Sequence, residues 1–195
     1  YISQIKAFKD NVSIKSCLSY TFSVSNSQGA SLIKDRPFTA EMTRSIMLLK
    51  EKPYRPRMAD YRIGVFFTGR EQLGEGAKTT APVYYANRWD IQPSDTAAYL
   101  RGEKVKPTKQ IVFYIDNTFP EKWKPYLREG VTQWNELFEQ IGFKDVVAAK
   151  NFPTDDPEFD PDNIKYSCVR YAPSSIENAM GPSWVDPRSG EILNA

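Results

Sequence analysis

The 195-residue chain carries 26 Lys and Arg against 24 Asp and Glu, 14 Pro, 2 Cys and no His. At 41% hydrophobic and 13% aromatic residues it has too many core formers to be disordered, and its length suits one large domain or two small ones. Without histidine, Ser-His-Asp, Cys-His and H-E-x-x-H chemistries cannot be completed inside the chain, and no apolar run approaches the ~20 residues of a membrane-spanning helix.

The first 68 residues read mainly as strands. Residues 12–24 alternate apolar and small polar side chains and end at a turn cluster, Asn26 to Gly29, the pattern of a half-buried strand. Residues 43–49 suit either a strand or a helix. The charged stretch 50–57 holds Pro53 and Pro56, each of which removes a ladder donor, so an extended loop is expected. Strand character returns at 61–67, gives way to a glycine-rich loop over 69–76, and resumes at 82–91. Within that loop Gly74-Glu75-Gly76 lacks the third glycine and the Lys-Ser/Thr of phosphate-cradling loops and reads as a turn. A short helix is predicted over 94–101, with Ser94 as N-cap and Gly102 just past its end. The charged, proline-bearing segment 104–109 is read as a linker between a unit of residues 1–103 and one of residues 110–195.

The second unit opens with an almost wholly apolar run, 110–116, that suits a strand covered on both faces. Trp123, Leu127, Val131, Trp134, Phe138 and Ile141 then recur at three- and four-residue spacing up to Gly142, predicting one long helix with both tryptophans in the core. Thr118 and Glu121 offer a capping box, although Pro125 favours a start near Lys124. Residues 144–150 and 164–171 read as strands, and the acidic 155–162 between them as a solvated loop without the glycine and terminal glutamate of an EF-hand. Residues 178–195 have the form of a hairpin turning at Asp186-Pro187-Arg188-Ser189-Gly190, with Pro182 placing its strand at a sheet edge, where a peptide can add. The predicted fold class is α+β: a mainly β N-terminal unit, then strand, helix, strand, strand.

Charge divides the same way, with 17 Lys and Arg against 10 Asp and Glu in residues 1–107, and 9 against 14 in residues 108–195. The basic charges are scattered among strand-like segments, so a nucleic-acid partner is not expected. Because the first residue is Tyr1 and the last lies in strand-like sequence, the chain is expected to be an excised piece.

The run Ile111-Val112-Phe113-Tyr114-Ile115-Asp116-Asn117, with Pro120-Glu121-Lys122-Trp123, Trp134-Asn135, Gly142-Phe143, Tyr166-Ser167-Cys168, Ile176 to Pro182 and Asp186 to Ile192, resembles large secreted zinc-dependent metalloproteases of the Bacteroidetes type. Upstream, Leu48-Leu49-Lys50-Glu51-Lys52-Pro53-Tyr54-Arg55-Pro56-Arg57, Asp60-Tyr61-Arg62-Ile63-Gly64 and Arg88-Trp89 resemble the uncharacterised domain that precedes the catalytic domain in that family. The resemblance implies the start of a metzincin-like catalytic domain, truncated before its zinc motif, which would follow Ala195. It implies a parent enzyme that hydrolyses peptide bonds through a zinc-activated water, located outside the cell, in the periplasm or at the cell envelope, with this chain inactive by itself. No catalytic residue and no zinc ligand is carried over. The edge strand that aligns peptide or protein substrate is matched by Ala179, Met180, Gly181, Pro182, Ser183, Trp184 and Val185, and the remainder of the catalytic domain is the implied structural partner. The competing reading is a non-catalytic binding or scaffold module of the cell envelope.

Overall fold

The structure is a computed structural model and describes residues 1–195 apart from Glu75 and Ala77. The turn expected at Gly74-Glu75-Gly76 thus centres on a residue outside the described ones. The fold is mainly β, with 40% of the chain in strands and 10% in helices. Two compact units divide it: Tyr1–Leu48 with Asp162–Ile164, and Leu49–Pro161 with Lys165–Ala195.

In the first unit β1 (Ile2–Ala7), β2 (Asn11–Ser25) and β3 (Ser31–Met47) form an antiparallel sheet in the order β1-β2-β3. Residues 43–47 are therefore strand. The Asn26 side chain accepts the amides of Gln28 and Ala30 at 3.0 and 2.8 Å, and Gly29 adopts φ +83°, which closes the β2–β3 turn. Period-two alternation places Leu18, Tyr20 and Phe22 on one face, opposite Ala40, Phe38 and Arg36. Tyr20 and Phe38 stack with centroids 5.5 Å apart. Half-burial holds only for the start of β2. Asn11, Ser13 and Ser16 are buried, and Asn11 donates to Asn163 Oδ1 at 2.8 Å, whereas 19–25 are exposed. An alternating face is covered only where another element lies on it, and beyond Cys17 the ladder partner of β2 is β3 alone.

In the second unit 50–57 is irregular, as its prolines require. Strand structure starts at Phe67 rather than 61, because Asp60 accepts the Arg62 amide at 3.0 Å and draws the chain into a turn. β4 (Phe67–Leu73) pairs antiparallel with β5 (Thr80–Ala86). Gly69 is inside β4, where an added Cβ would lie 3.2 Å from the Tyr84 ring, so the loop expected from 69 opens only beyond Leu73. Helix α1 (Thr96–Leu100) is capped by Asp95, not Ser94, through a 2.9 Å bond from the Ala98 amide. The segment 104–109 is backbone-paired: Val105 donates to Gly142 O at 3.0 Å and accepts from Lys144 at 2.9 Å.

β6 (Ile111–Ile115) is central in a parallel sheet of order β7-β6-β8, with β7 (Val147–Asn151) and β8 (Ser167–Val169) beside it. The connection from β6 to β7 is helical but not one helix. α2 (Lys124–Thr132) and α3 (Asn135–Gln140) are separated at Gln133-Trp134, where Leu137 donates to Trp134 O in a tightened three-residue step. No side chain caps α2; Thr118 bonds Asp116 Oδ1 instead of forming a capping box. The apolar spacing splits accordingly. Val131 and Phe138 pack on the core of Ala98, Val105, Ile111, Phe143, Val146 and Val147, whereas Trp123, Trp134 and Ile141 are 44%, 59% and 57% exposed. Asn135 takes the inward position Trp134 was expected to fill, donating to Val147 O at 2.9 Å and accepting the Val147 amide at 2.8 Å. Finally β9 (Trp184–Asp186) and β10 (Glu191–Asn194) form an antiparallel hairpin. Cys17 and Cys168 are free thiols, and burial pushes that of Cys168 up to about 11.

Candidate functional site

The residues expected to hold substrate lie at and before β9. Trp184 and Val185 are in the strand; Ala179, Met180, Gly181, Pro182 and Ser183 precede it as irregular, exposed chain. Pro182 therefore stops short of the strand it was expected to mark, because regular pairing begins only where Trp184 meets Asn194. Main-chain bonds order this corner of the second unit. Arg88 donates to Gly190 O and accepts from Ile192, each at 2.8 Å, so β10 is flanked by β9 on one side and residue 88 on the other. Among the described residues β9 has β10 as its single ladder partner, which leaves its outer edge open beside the half-exposed Trp184.

The turn behind this edge is built from buried polar groups. Asp186, Ser189 and Glu191 are all at least 95% buried. Asp186 Oδ1 accepts the Arg188 amide at 2.8 Å and Arg188 Nε at 3.0 Å, and its Oδ2 accepts Arg188 Nη2 at 2.8 Å. These bonds, with the Arg188 and Lys50 charges, hold the Asp186 carboxyl below its ordinary value against the opposing effect of burial. Gly190 adopts φ +75°, and a Cβ there would fall 2.5 Å from Ala86 O, so glycine is required by both conformation and space. Glu191 Oε1 accepts from Lys50 Nζ at 2.6 Å, and Asp90 lies 3.6 Å from the same ammonium. Burial works against the Lys50 charge, but the two carboxylates keep its ammonium above its ordinary value. This framework was not singled out from the sequence, which showed Asp186 to Gly190 as turn chemistry only. Lys50 is brought to Asp90 and Glu191 by pairings remote in sequence, the second across 141 residues.

At the carboxyl edge of the parallel sheet, a common ligand position in such sheets, the charged groups are bonded within the chain. Asp116 accepts from the Thr118 amide and hydroxyl, and the buried Lys124 ammonium is spent on Asn117 O and Glu121. Among the described residues no three His, Cys, Asp or Glu side chains gather closely enough to hold a metal ion. No helix among them is long and apolar enough to cross a membrane.

Residues 1–94, a little under half of the chain, match a family described as a domain of unknown function, DUF5117. No curated protein and no solved structure matches the chain.

Proposed function

We propose that this chain is the N-terminal part of a secreted zinc-dependent metalloendopeptidase, located outside the cell, in the periplasm or at the cell envelope, and that residues 179–185 help hold the peptide. The observation that carries the reading is the open outer edge of β9, continued backwards by exposed chain from Ala179 to Ser183. Backbone groups on such an edge bind extended peptide with little regard to its sequence, and the neighbouring side chain, Trp184, adds apolar contact. The ion pairs of buried carboxylates with partly exposed cations behind the edge support it mechanically: Asp186, Arg188 and Lys50 fix the turn that follows β9. The outward stripe of Trp134, Leu137 and Ile141 on α3 and its approach supports a further part of a catalytic domain as the structural partner, since an apolar stripe of this size favours cover.

The residues of this chain do not themselves fit a zinc site. Histidine is absent, Cys17 and Cys168 belong to different units, and no three His, Cys, Asp or Glu side chains gather among the described residues. In this reading the metal ligands follow Ala195, and what the chain supplies is substrate alignment. The test uses the parent protein. Ser183→Pro removes one amide from exposed chain outside any ladder, so folding should be retained while peptide alignment is impaired. The expected result is a fall in kcat/KM of about tenfold, the scale of one lost hydrogen bond in a preorganised site, with bound zinc unchanged. Unaltered cleavage would remove this strand from the substrate site.

A second reading, a non-catalytic cell-envelope module, is favoured by one feature: the exposed face of the β2–β3 arm with Tyr20, Phe22 and Phe38. Sequence after Ala195 separates the two, because H-E-x-x-H on a helix belongs only to the enzyme.

A further inference from the structure

A cavity of about 450 Å³ lies in the second unit, lined by Tyr54, Arg55, Pro56, Arg57, Arg88 and Gln92. Its lining residues include three arginines and no Asp or Glu. The loop 50–57 is held against the end of β5 by main-chain bonds, Ala86 donating to Arg57 O at 2.9 Å and Ala59 to Tyr84 O at 2.8 Å. Arg55 and Arg57 both border the cavity.

Arg88 is the fixed member of the group. Its Nη1 donates to the Tyr54 hydroxyl at 3.1 Å, its Nη2 to Arg55 O at 2.8 Å, and its guanidinium carbon stands 4.6 Å from the centre of the Tyr54 ring. Its Nε is shielded from solvent and has no partner. Glu191 is its neighbour across the ladder, yet the two side chains form no ion pair: Glu191 Oε1 accepts from Lys50, Glu191 Oε2 is buried without a partner, and Arg88 borders the cavity. Arg55 and Arg57 have no hydrogen-bond or ion-pair partner for their guanidinium groups among the described residues. A buried donor without an acceptor is costly, and Arg55 and Arg57, exposed and without an acceptor among the described residues, add positive charge at the same cavity.

We propose that this cavity is a binding site for a small anionic ligand whose charged group is a carboxylate or phosphate oxyanion. Guanidinium forks match the planar or tetrahedral oxygens of such groups through paired N–H donors. The volume exceeds what one phosphate fills, so the ligand has a body besides its charged end, and Tyr54 and Pro56 offer surface for it. The site stands independently of the peptide edge at β9.

Calorimetric titration of the chain with inorganic phosphate and, separately, with succinate tests the proposal at low salt, with sodium chloride additions measuring the screening. Saturable one-to-one binding of either probe is expected, and which one binds tells phosphate from carboxylate. Arg57→Gln should weaken that binding about tenfold, the scale of one charge-assisted hydrogen bond. Its side chain is exposed and without a partner, so the variant should melt like the parent. Arg88→Lys, which keeps the charge but loses the fork, should weaken binding as well. Arg101→Gln, a surface change at an ion pair with Glu103 away from the cavity lining, should leave it unchanged. The proposal is overturned if neither probe binds saturably, or if Arg57→Gln binds as tightly as the parent chain.

Discussion

Asp186 shows how one residue fixes a local structure that its neighbours use. Its carboxylate is nearly without solvent contact and receives three donors from Arg188, two from the guanidinium and one from the amide, within a five-residue turn. Folding therefore holds its carboxyl below the ordinary value, with the Arg188 bonds as the largest cause and burial opposing them. The sign of the linkage follows. An unfolded carboxyl titrates near the ordinary value, so the stabilisation from Asp186 is fully present above about pH 4 and is lost as pH falls through the lower folded value. Asp60 and Asp116 shift in the same direction, so acid sensitivity of the whole chain is shared. A difference measurement isolates Asp186: in urea melts Asp186→Asn should be less stable than the parent at pH 7, and the gap should narrow below about pH 4. A gap that stays constant with pH would show that packing, rather than the carboxylate charge, accounts for the effect.

Among the elements, the helical connection between β6 and β7 is where periodicity and structure part. Spacing over Trp123, Leu127, Val131, Trp134, Phe138 and Ile141 is compatible with one stripe on a regular helix. The tightened step at Gln133-Trp134 rotates the later residues, and Asn135, held at both polar atoms by the Val147 backbone, takes the inward place. Two stripes result, one on the core and one facing out. Trp134→Ala should therefore lower stability by less than about 1 kcal/mol, as for an exposed side chain. Phe143→Ala, which removes a 5%-exposed ring in contact with Tyr99, should lower it by about 3 to 5 kcal/mol. Denaturant melts of both variants check the ordering; equal losses would return Trp134 to the core. The β2–β3 arm makes the complementary point. Its alternation is as regular as that of a half-buried strand, yet the apolar face beyond Leu18 is open. Period two reports that a strand has two faces, and not which of them is covered.

For the molecule as a whole, residue types alone support one firm expectation. Purified chain, dialysed at neutral pH, should retain no stoichiometric zinc, since it offers two cysteines in different units and no imidazole. One tightly held zinc per chain, found by metal analysis, would overturn the proposal that the metal ligands follow Ala195. Local signals were sufficient for several elements: the β6 run is legible from its unbroken apolar composition, and the Asn26 to Gly29 turn, the β9–β10 hairpin with its Asp186 to Gly190 turn, and a helix beginning at Lys124 are set by interactions within a few residues. Their ends were less legible: the cap at Asp95 lies one residue from the expected Ser94, and the Asp60–Arg62 turn bond delays the expected strand from 61 to Phe67. Three features depend on partners remote in sequence and were decided only by tertiary structure. β6 became the centre of a parallel sheet through β7 and β8. Lys50 met Glu191, and Arg88 met Tyr54, through ladder pairings that close loops of tens to more than a hundred residues. A side chain's type fixes what it can bond, whereas burial and partnership depend on which distant backbone folds beside it, and periodicity in one segment carries no record of that.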